Sequence, residues 1–475
     1  MTASNGGYFG QFGIDQAVVA RVLGRALSRG GDLADLFFQH ETSTSIGLED
    51  GEVNRAYGRV ELGCGIRVVV VDQTGYAFSE DLEPEALLRA ADTAAAIAGA
   101  GAAVGPQGFE ARVTPDLYPV SRAWAEVGAD ERIPLLSRID ERCRALDPRV
   151  KKVTVSFADA ERHVMIATSD GILAEDDQPM TRMIVGVTAE QDGVRQSNSA
   201  NVAARDGIGF YDEARLEALA RKAVERTLVL FEAERPPAGE LPVVLAAGSS
   251  GILLHEAIGH GLEADHNRKR ISIFADMIGC KVAEPFVSIV DDGTHPHMRG
   301  SINVDDEGNE VEQTVLVDGG MLRGFLHDRI SAAHYDVPVT GSGRRQSFRF
   351  PPLPRMRNTY MLPGPHTRDE IIASVDRGIL AESFTNGQVQ IGAGDFTFYI
   401  KNGWLIEGGK LSRPIKDANI IGNGPDVLRK VTMVADDLLL DDSGWTCGKD
   451  GQMVPVGLGM PTTLVSAITV GGLNG

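Results

Sequence analysis

The sequence predicts an α+β protein of two domains. An N-terminal α+β domain with antiparallel strands is expected over residues 1–235. A β-rich, barrel-like C-terminal domain is expected over 236–475, carrying the HExxxH segment 255–260 on one of its helices. Three observations lead there. The chain has 475 residues, more than one hydrophobic core usually organises. The segment Arg235-Pro236-Pro237-Ala238-Gly239 breaks the pattern where neither a helix nor a strand ladder continues easily. Across it, long strands and amphipathic helices give way to many short strands parted by Gly, Asp and Asn turns.

Each element has its own reason. Residues 14–29 place Ile14, Val18, Val22 and Leu23 at helical spacing, closed by Gly30-Gly31. Residues 36–48, rich in Phe, Thr, Ser and Ile, suit a strand that Glu49-Asp50-Gly51 turns. Two more strands follow over 60–78, around Asp72-Gln73-Thr74-Gly75. Residues 83–99 form an Ala- and Leu-rich helix with Pro84 at its start, and 99–108 read as a mobile loop. A helix is expected over 127–146. A strand meander is expected over 152–187, with turns near Asp159 and at Asp170-Gly171. The last N-terminal helix, 213–232, carries Leu216, Leu219, Ala220 and Ala223 on one face. Beyond the linker, 241–246 is a short buried strand, and Gly248-Ser249-Ser250-Gly251 leads into one helix. Strands are then expected at 286–290, 311–317, 321–328, 388–400, 404–406 and 431–440, as a barrel or folded sheet.

Composition narrows the function. No run approaches the roughly 18 uninterrupted apolar residues of a membrane span. The opening MTASNGGYFGQFG lacks the basic and apolar regions of a secretory signal, so a cytoplasmic protein is expected. A net charge of -20 argues against wrapping nucleic acid and is read as a solubility device. Cys64, Cys143, Cys280 and Cys447 are far apart and form no CxxC pair, which suits reduced cysteines. The first three read as small buried hydrophobes.

The segment His255-Glu256-Ala257-Ile258-Gly259-His260 is an HExxH zinc motif with one residue inserted. In a straight helix, side chains four apart differ by roughly 40° and five apart by roughly 140°. His255 and His260 therefore meet one ion only if the helix is irregular, through a π-turn or by ending near Gly259. Glu256, beside the first histidine, has the position of the general base in zinc peptidases. A catalytic zinc needs a third protein ligand. Glu263, Asp265 and His266 are near in sequence, with Asp265 and His266 reading as a solvated loop. Cys447, in the Gly-rich Thr446-Cys447-Gly448-Lys449-Asp450-Gly451-Gln452, offers a thiolate from far away and is the better candidate.

HEAIGHGLEAD and WTCGKDGQ together resemble the TldD branch of the TldD/PmbA peptidases. RGSINVDDEG, TGSGRRQS, PRMRNTYMLPG and YIKNGWLIEGGKLSRPIKDANIIGNG extend the likeness, as do LEDGEV and GCGIRVVVVDQTGYAFSEDL near the N-terminus. The resemblance implies that His255, His260 and Cys447 hold Zn2+ with Glu256 as base, and that the substrate is an unfolded protein or peptide. It also implies a TldE/PmbA-like paralogue as partner. The TldE branch lacks the HExxxH pair, which this chain keeps. A non-enzymatic adaptor with structural zinc is the rival reading; such sites usually close with four protein ligands. His295 and His297 read as an exposed loop. The cluster Arg344, Arg345, Arg349, Arg355 and Arg357 reads equally as a clamp for a carboxylate or partner and as solvated loop arginines.

Overall fold

The computed structural model describes residues 7–99, 101, 105–390 and 392–471. Part of the expected mobile loop, residues 100 and 102–104, lies outside them.

Two long antiparallel hairpins build the N-terminal sheet. β1 (Leu33–Glu49) and β2 (Glu52–Val70) turn at Asp50-Gly51, both at positive φ, as the Asp-Gly pair predicts. β3 (Gln73–Ser79) extends β2 on its outer side. On the other side of β1 lie β5 (Val150–Thr168) and β6 (Ile172–Gln191), with the short β4 (Glu110–Ala111) and β7 (Val194–Ala204) both paired to β6. The turn expected near Asp159 is absent. β5 runs straight through it, because Asp159 points inward to a double hydrogen bond with Arg132 at 2.6 and 2.9 Å.

One face of this sheet is covered by four helices. α1 (Gln16–Ala26) and α2 (Pro84–Ala98) pack on Leu36, Phe38, Ile66, Val68 and Met165. α3 (Ala129–Leu146) and α4 (Glu213–Leu228) pack on Val153, Val155, Phe157, Met183 and Val185. The period-two alternation of β5 and β6 puts these apolar side chains on the helix side. On the opposite face, Phe37, Val164 and Ile166 are capped by Val304 and Phe348 from the C-terminal half.

After α4 the chain enters β8 (Gly239–Leu245). β8 joins Arg377–Gln390, Asp395–Glu407, Ala418–Asn423 and Thr463–Gly471 in a closed ring of pairings, so the expected barrel is present. Its pairing with Arg377–Gln390 is parallel and the other four are antiparallel. The expected strand 388–400 is instead two long strands, and 321–328 keeps only Met321–Leu322. A second, six-stranded sheet includes Ile289–Asp292, Asn358–Met361 and Gly457–Met460. α5 (Gly251–Ala257) is held between barrel and sheet, with Ile252, Leu253, Leu254 and Ala257 all in the core. Gly251 permits this, since a Cβ there would lie 2.7 Å from the Gly459 backbone nitrogen. No helix among the described residues is long and apolar enough to cross a membrane.

The halves are joined by a buried ionic cluster. Arg67 on β2 pairs with Asp35 at 2.5 Å and with Glu307 at 2.7 Å, and Arg345 reaches Asp35 at 3.2 Å. All four side chains are essentially inaccessible.

Candidate metal centre

α5 ends at Ala257. Ile258 leaves the helical region at φ -129°, and a 3-10 turn, Gly259–Leu262, follows. The inserted residue is thus absorbed by ending the helix, without a π-turn. Gly259 is required by its neighbour, since a Cβ there would lie 2.1 Å from Met356 Sδ.

This break brings His255 and His260 together, with ring centroids 5.1 Å apart and nearly perpendicular. Cys447 comes from the hairpin Thr446–Lys449 and Gln452–Pro455, and its Sγ lies 3.4 Å from His260 Nε2. The ligand atoms of His255, His260 and Cys447 all lie within 4.8 Å of one another. Among the described residues, no fourth His, Cys, Asp or Glu belongs to this group. The three side chains are buried, whereas Glu256 is 20% exposed, its Oε2 3.9 Å from His260 Nε2.

Charge around the trio is arranged in a chain. Glu263 Oε2 meets His260 Nδ1 at 2.9 Å, and Lys449 Nζ lies 3.1 Å from Glu263 and 2.7 Å from Asp265. Burial opposes ionisation of Cys447, but His260 and His255 beside it hold the thiol well below its usual range. Burial also opposes the His260 cation, yet Glu263 and Cys447 hold it well above the usual imidazole range. Glu263 itself is depressed despite burial, chiefly by Lys449 and His260.

These residues fit a metal ion. Two imidazoles and a thiolate are a zinc-type donor set. The buried Nδ1 of His255 has no hydrogen-bond partner. A carboxylate behind a histidine is the usual outer partner that fixes the ring and its tautomer.

The other sequence candidates fall elsewhere. Glu263 faces Lys449 and the far side of His260. Asp265 and His266 are buried on α6 (Ala264–Arg268), not in a solvated loop, because Asp265 pairs with Lys449 and His266 Nδ1 meets the His260 carbonyl at 3.3 Å. His295 and His297 are half-buried and bond separately to Tyr360 and the Arg205 carbonyl. Cys64 and Cys143 are buried as expected; Cys280 is exposed, in a turn before the Lys281 bridge.

The buried members of the arginine cluster are neither a clamp nor solvated, though Arg345 does stack on Phe37, 4.4 Å from its ring centroid. Arg355 donates to the Cys447 carbonyl at 2.7 Å, and Arg344 donates to the Pro455 and Met356 carbonyls at 2.7 and 2.5 Å. Arg357 binds Asp291 at 2.6 Å. The buried arginines thus serve as internal struts, two of them holding the Cys447 hairpin. Arg349 alone is half-exposed, paired with Glu61 and Glu80. Sequence reasoning also missed Lys449. The signal was its place two residues after Cys447, on the same face of a strand.

Comparison with known proteins places the chain in a family. Residues 238–472 match the PmbA/TldA metallopeptidase C-terminal domain, 122–231 its central domain and 34–98 its domain 1. The chain is 40% identical to "Metalloprotease TldD homolog" of Haemophilus influenzae, covering 94% of each chain. It is 36% identical to the protein of that name in Buchnera aphidicola from Acyrthosiphon pisum, covering 93% of each. In fold it is similar to the crystal structure of TldE from Thermococcus kodakarensis, with a TM-score of 0.77 at 18% identity, covering 96% of this chain and all of that one. From the three matched domains and the extent of these identities, the chain belongs to the TldD family of PmbA/TldD metallopeptidases.

Proposed function

We propose that this protein is a zinc-dependent peptidase that hydrolyses peptide bonds in unfolded segments, working in the cytoplasm with a TldE-type paralogue. The observation that carries the reading is the meeting of His255, His260 and Cys447 from two distant segments, with the carboxylate of Glu256 alongside. In this reading residues 236–475 form the metallopeptidase unit, and residues 1–235 form the α+β unit that leans on it.

His255, His260 and Cys447 would hold the zinc ion, which would supply polarisation of a carbonyl and a water whose pKa is lowered toward about 7. The rest is done by this chain. Glu256 is the least buried of the four residues and takes the proton of the attacking water, then returns it to the leaving nitrogen. Glu263 holds His260 Nδ1, which leaves Nε2 facing Cys447. Arg355 and Arg344 hold the hairpin carbonyls, so Cys447 keeps its place when substrate presses on it.

The test measures bound metal and cleavage by the full chain, alone and with a TldE-type partner, on an unfolded protein and on its folded form. Stoichiometric zinc with chelator-sensitive cleavage of the unfolded form is expected. Glu256→Ala is expected to keep its zinc and lose turnover. Full activity in that variant removes Glu256 from the mechanism, and bound zinc without cleavage in any condition makes the site structural.

A further inference from the structure

On the face of the N-terminal sheet away from the helices, the part not capped by Val304 and Phe348 has a shape set by strand register. One row across β2, β1, β5 and β6 reads Tyr57, Ser45, Ala158, Arg182. The next reads Arg59, Ser43, Ala160, Met180, and the row on the other side Arg55, Gly47, Ser156, Ile184. In every row two small residues lie between two long ones. With strands about 4.8 Å apart, the walls stand roughly 14 Å from each other across a floor of Ser, Ala and Gly. The outcome is a trough along the strands. It holds a cavity of about 340 Å3 between Ser43 and Arg182 and another of about 550 Å3 over Gly47 and Ser156.

The trough has a polarity. At the end nearer the C-terminal half, Arg299 joins the lining. Its Nε donates to the Trp445 carbonyl at 3.0 Å and its Nη2 to Thr446 Oγ1 at 3.3 Å, on the residue before Cys447. Arg182 stands beside it with a buried Nε that has no hydrogen-bond partner; Arg205, 3% exposed and behind the lining in the field of Asp176 and Asp306, has another. Among the described residues, none of these three guanidinium groups pairs with a carboxylate. Burial, then Arg182 and Arg205, push the Arg299 guanidinium down to about 9. In a chain of net charge -20, two arginines that line a concavity with no carboxylate paired to them mark a place for an anion.

We infer that the trough binds an extended peptide carrying a carboxylate, which Arg182 and Arg299 receive beside the strand that bears Cys447. That this peptide is the substrate rests on the peptidase reading above. The floor of small side chains leaves room for a backbone, and the guanidinium pair supplies the selectivity. The carboxylate comes from the peptide's C-terminus or from an Asp or Glu side chain.

The experiment uses the zinc-loaded full chain and four versions of one unstructured ten-residue peptide, labelled at the N-terminus. They carry Glu or Gln at one internal position and end in a carboxylate or a carboxamide. Binding is read by anisotropy on Glu256→Ala, and cleavage on the wild type. A carboxylate-bearing peptide is expected to bind about ten- to hundredfold more tightly than the doubly neutral one. The pairwise arms tell terminus from side chain. Among the described residues the Arg182 side chain makes no hydrogen bond, so in Arg182→Gln zinc content and thermal melting should stay as they are while the acid-to-neutral ratio falls to about one. Ala158→Glu, which puts a carboxylate in the floor, should abolish the preference independently. Equal affinities for all four peptides, or a preference that survives Arg182→Gln, overturns the proposal. If those peptides are nonetheless cleaved, the peptidase reading stands alone. Acid-selective binding without cleavage keeps the trough and sinks the peptidase reading. A change confined to particle mass in light scattering makes this face a protein interface and the proposal wrong.

Discussion

Two buried cysteines in this molecule, each within reach of a charged cluster, respond in opposite ways. Cys64 packs in the apolar layer under α1 and α2, across the sheet from the Arg67–Asp35–Glu307 network. Burial pushes its thiol up; the Arg345 charge offsets this only in part, and Asp35 adds to it. At the candidate metal centre Cys447 is just as buried, yet the imidazoles of His260 and His255 hold it down. Burial is therefore not what separates the two thiols. In the junction cluster the cations are already matched by carboxylates. At the metal centre Glu263 and Lys449 satisfy the outer side of His260 and leave the inner side to the sulfur.

Breaking the open cluster should have the largest effect. Cys447→Ser is expected to cost more than about 100-fold in zinc affinity, beyond the usual loss of an outer-shell partner. Titration against a chelator of known affinity measures it, and full zinc retention would exclude Cys447 as a ligand. Glu263→Gln, which keeps the shape and removes the charge behind His260, should weaken zinc by about 10- to 100-fold. An unchanged affinity would make Glu263 a mere filler of the core.

The closed cluster gives a pH effect. Next to it, burial first and Glu307 second raise the carboxyl of Asp328 to about 6. The folded state then holds a proton that the unfolded state has released, so this group's contribution is full below about pH 4. It is lost as the pH rises to about 6, on the order of 2–3 kcal/mol in all. Denaturant titrations of Asp328→Asn across that window should show a flatter pH dependence than the wild type; the same slope would locate the titration elsewhere. The smallest effect belongs to Cys64→Ala, at about 1–2 kcal/mol of stability with zinc content unchanged. A fall in bound zinc would show that the two clusters communicate.

Much of this organisation was legible beforehand. The Asp50-Gly51 turn, the Pro84 helix start and the 213–228 helix follow from local chemistry, which acts within a few residues and so is written in the sequence. The 286–290 strand is found at Ile289–Asp292, and 321–328 is cut short, because short C-terminal strands take their ends from partners far along the chain. Asp159 reads as a turn residue until Arg132 arrives from α3. The arginines between 344 and 357 read as surface or ligand groups until the carbonyls of Cys447 and Pro455 are seen in front of them.

The sequence by itself determined the α+β class, the neighbouring His255 and Glu256, and the need for an irregular backbone before His260, because helical rotation per residue is a local constant. Only the tertiary structure decided how that irregularity is made, which carboxylate backs His260, and that a row of small residues in β1 and β5 becomes the floor of a trough. Those outcomes depend on which distant side chain occupies a given volume. Close packing settles that for the whole chain at once, and no local pattern carries it.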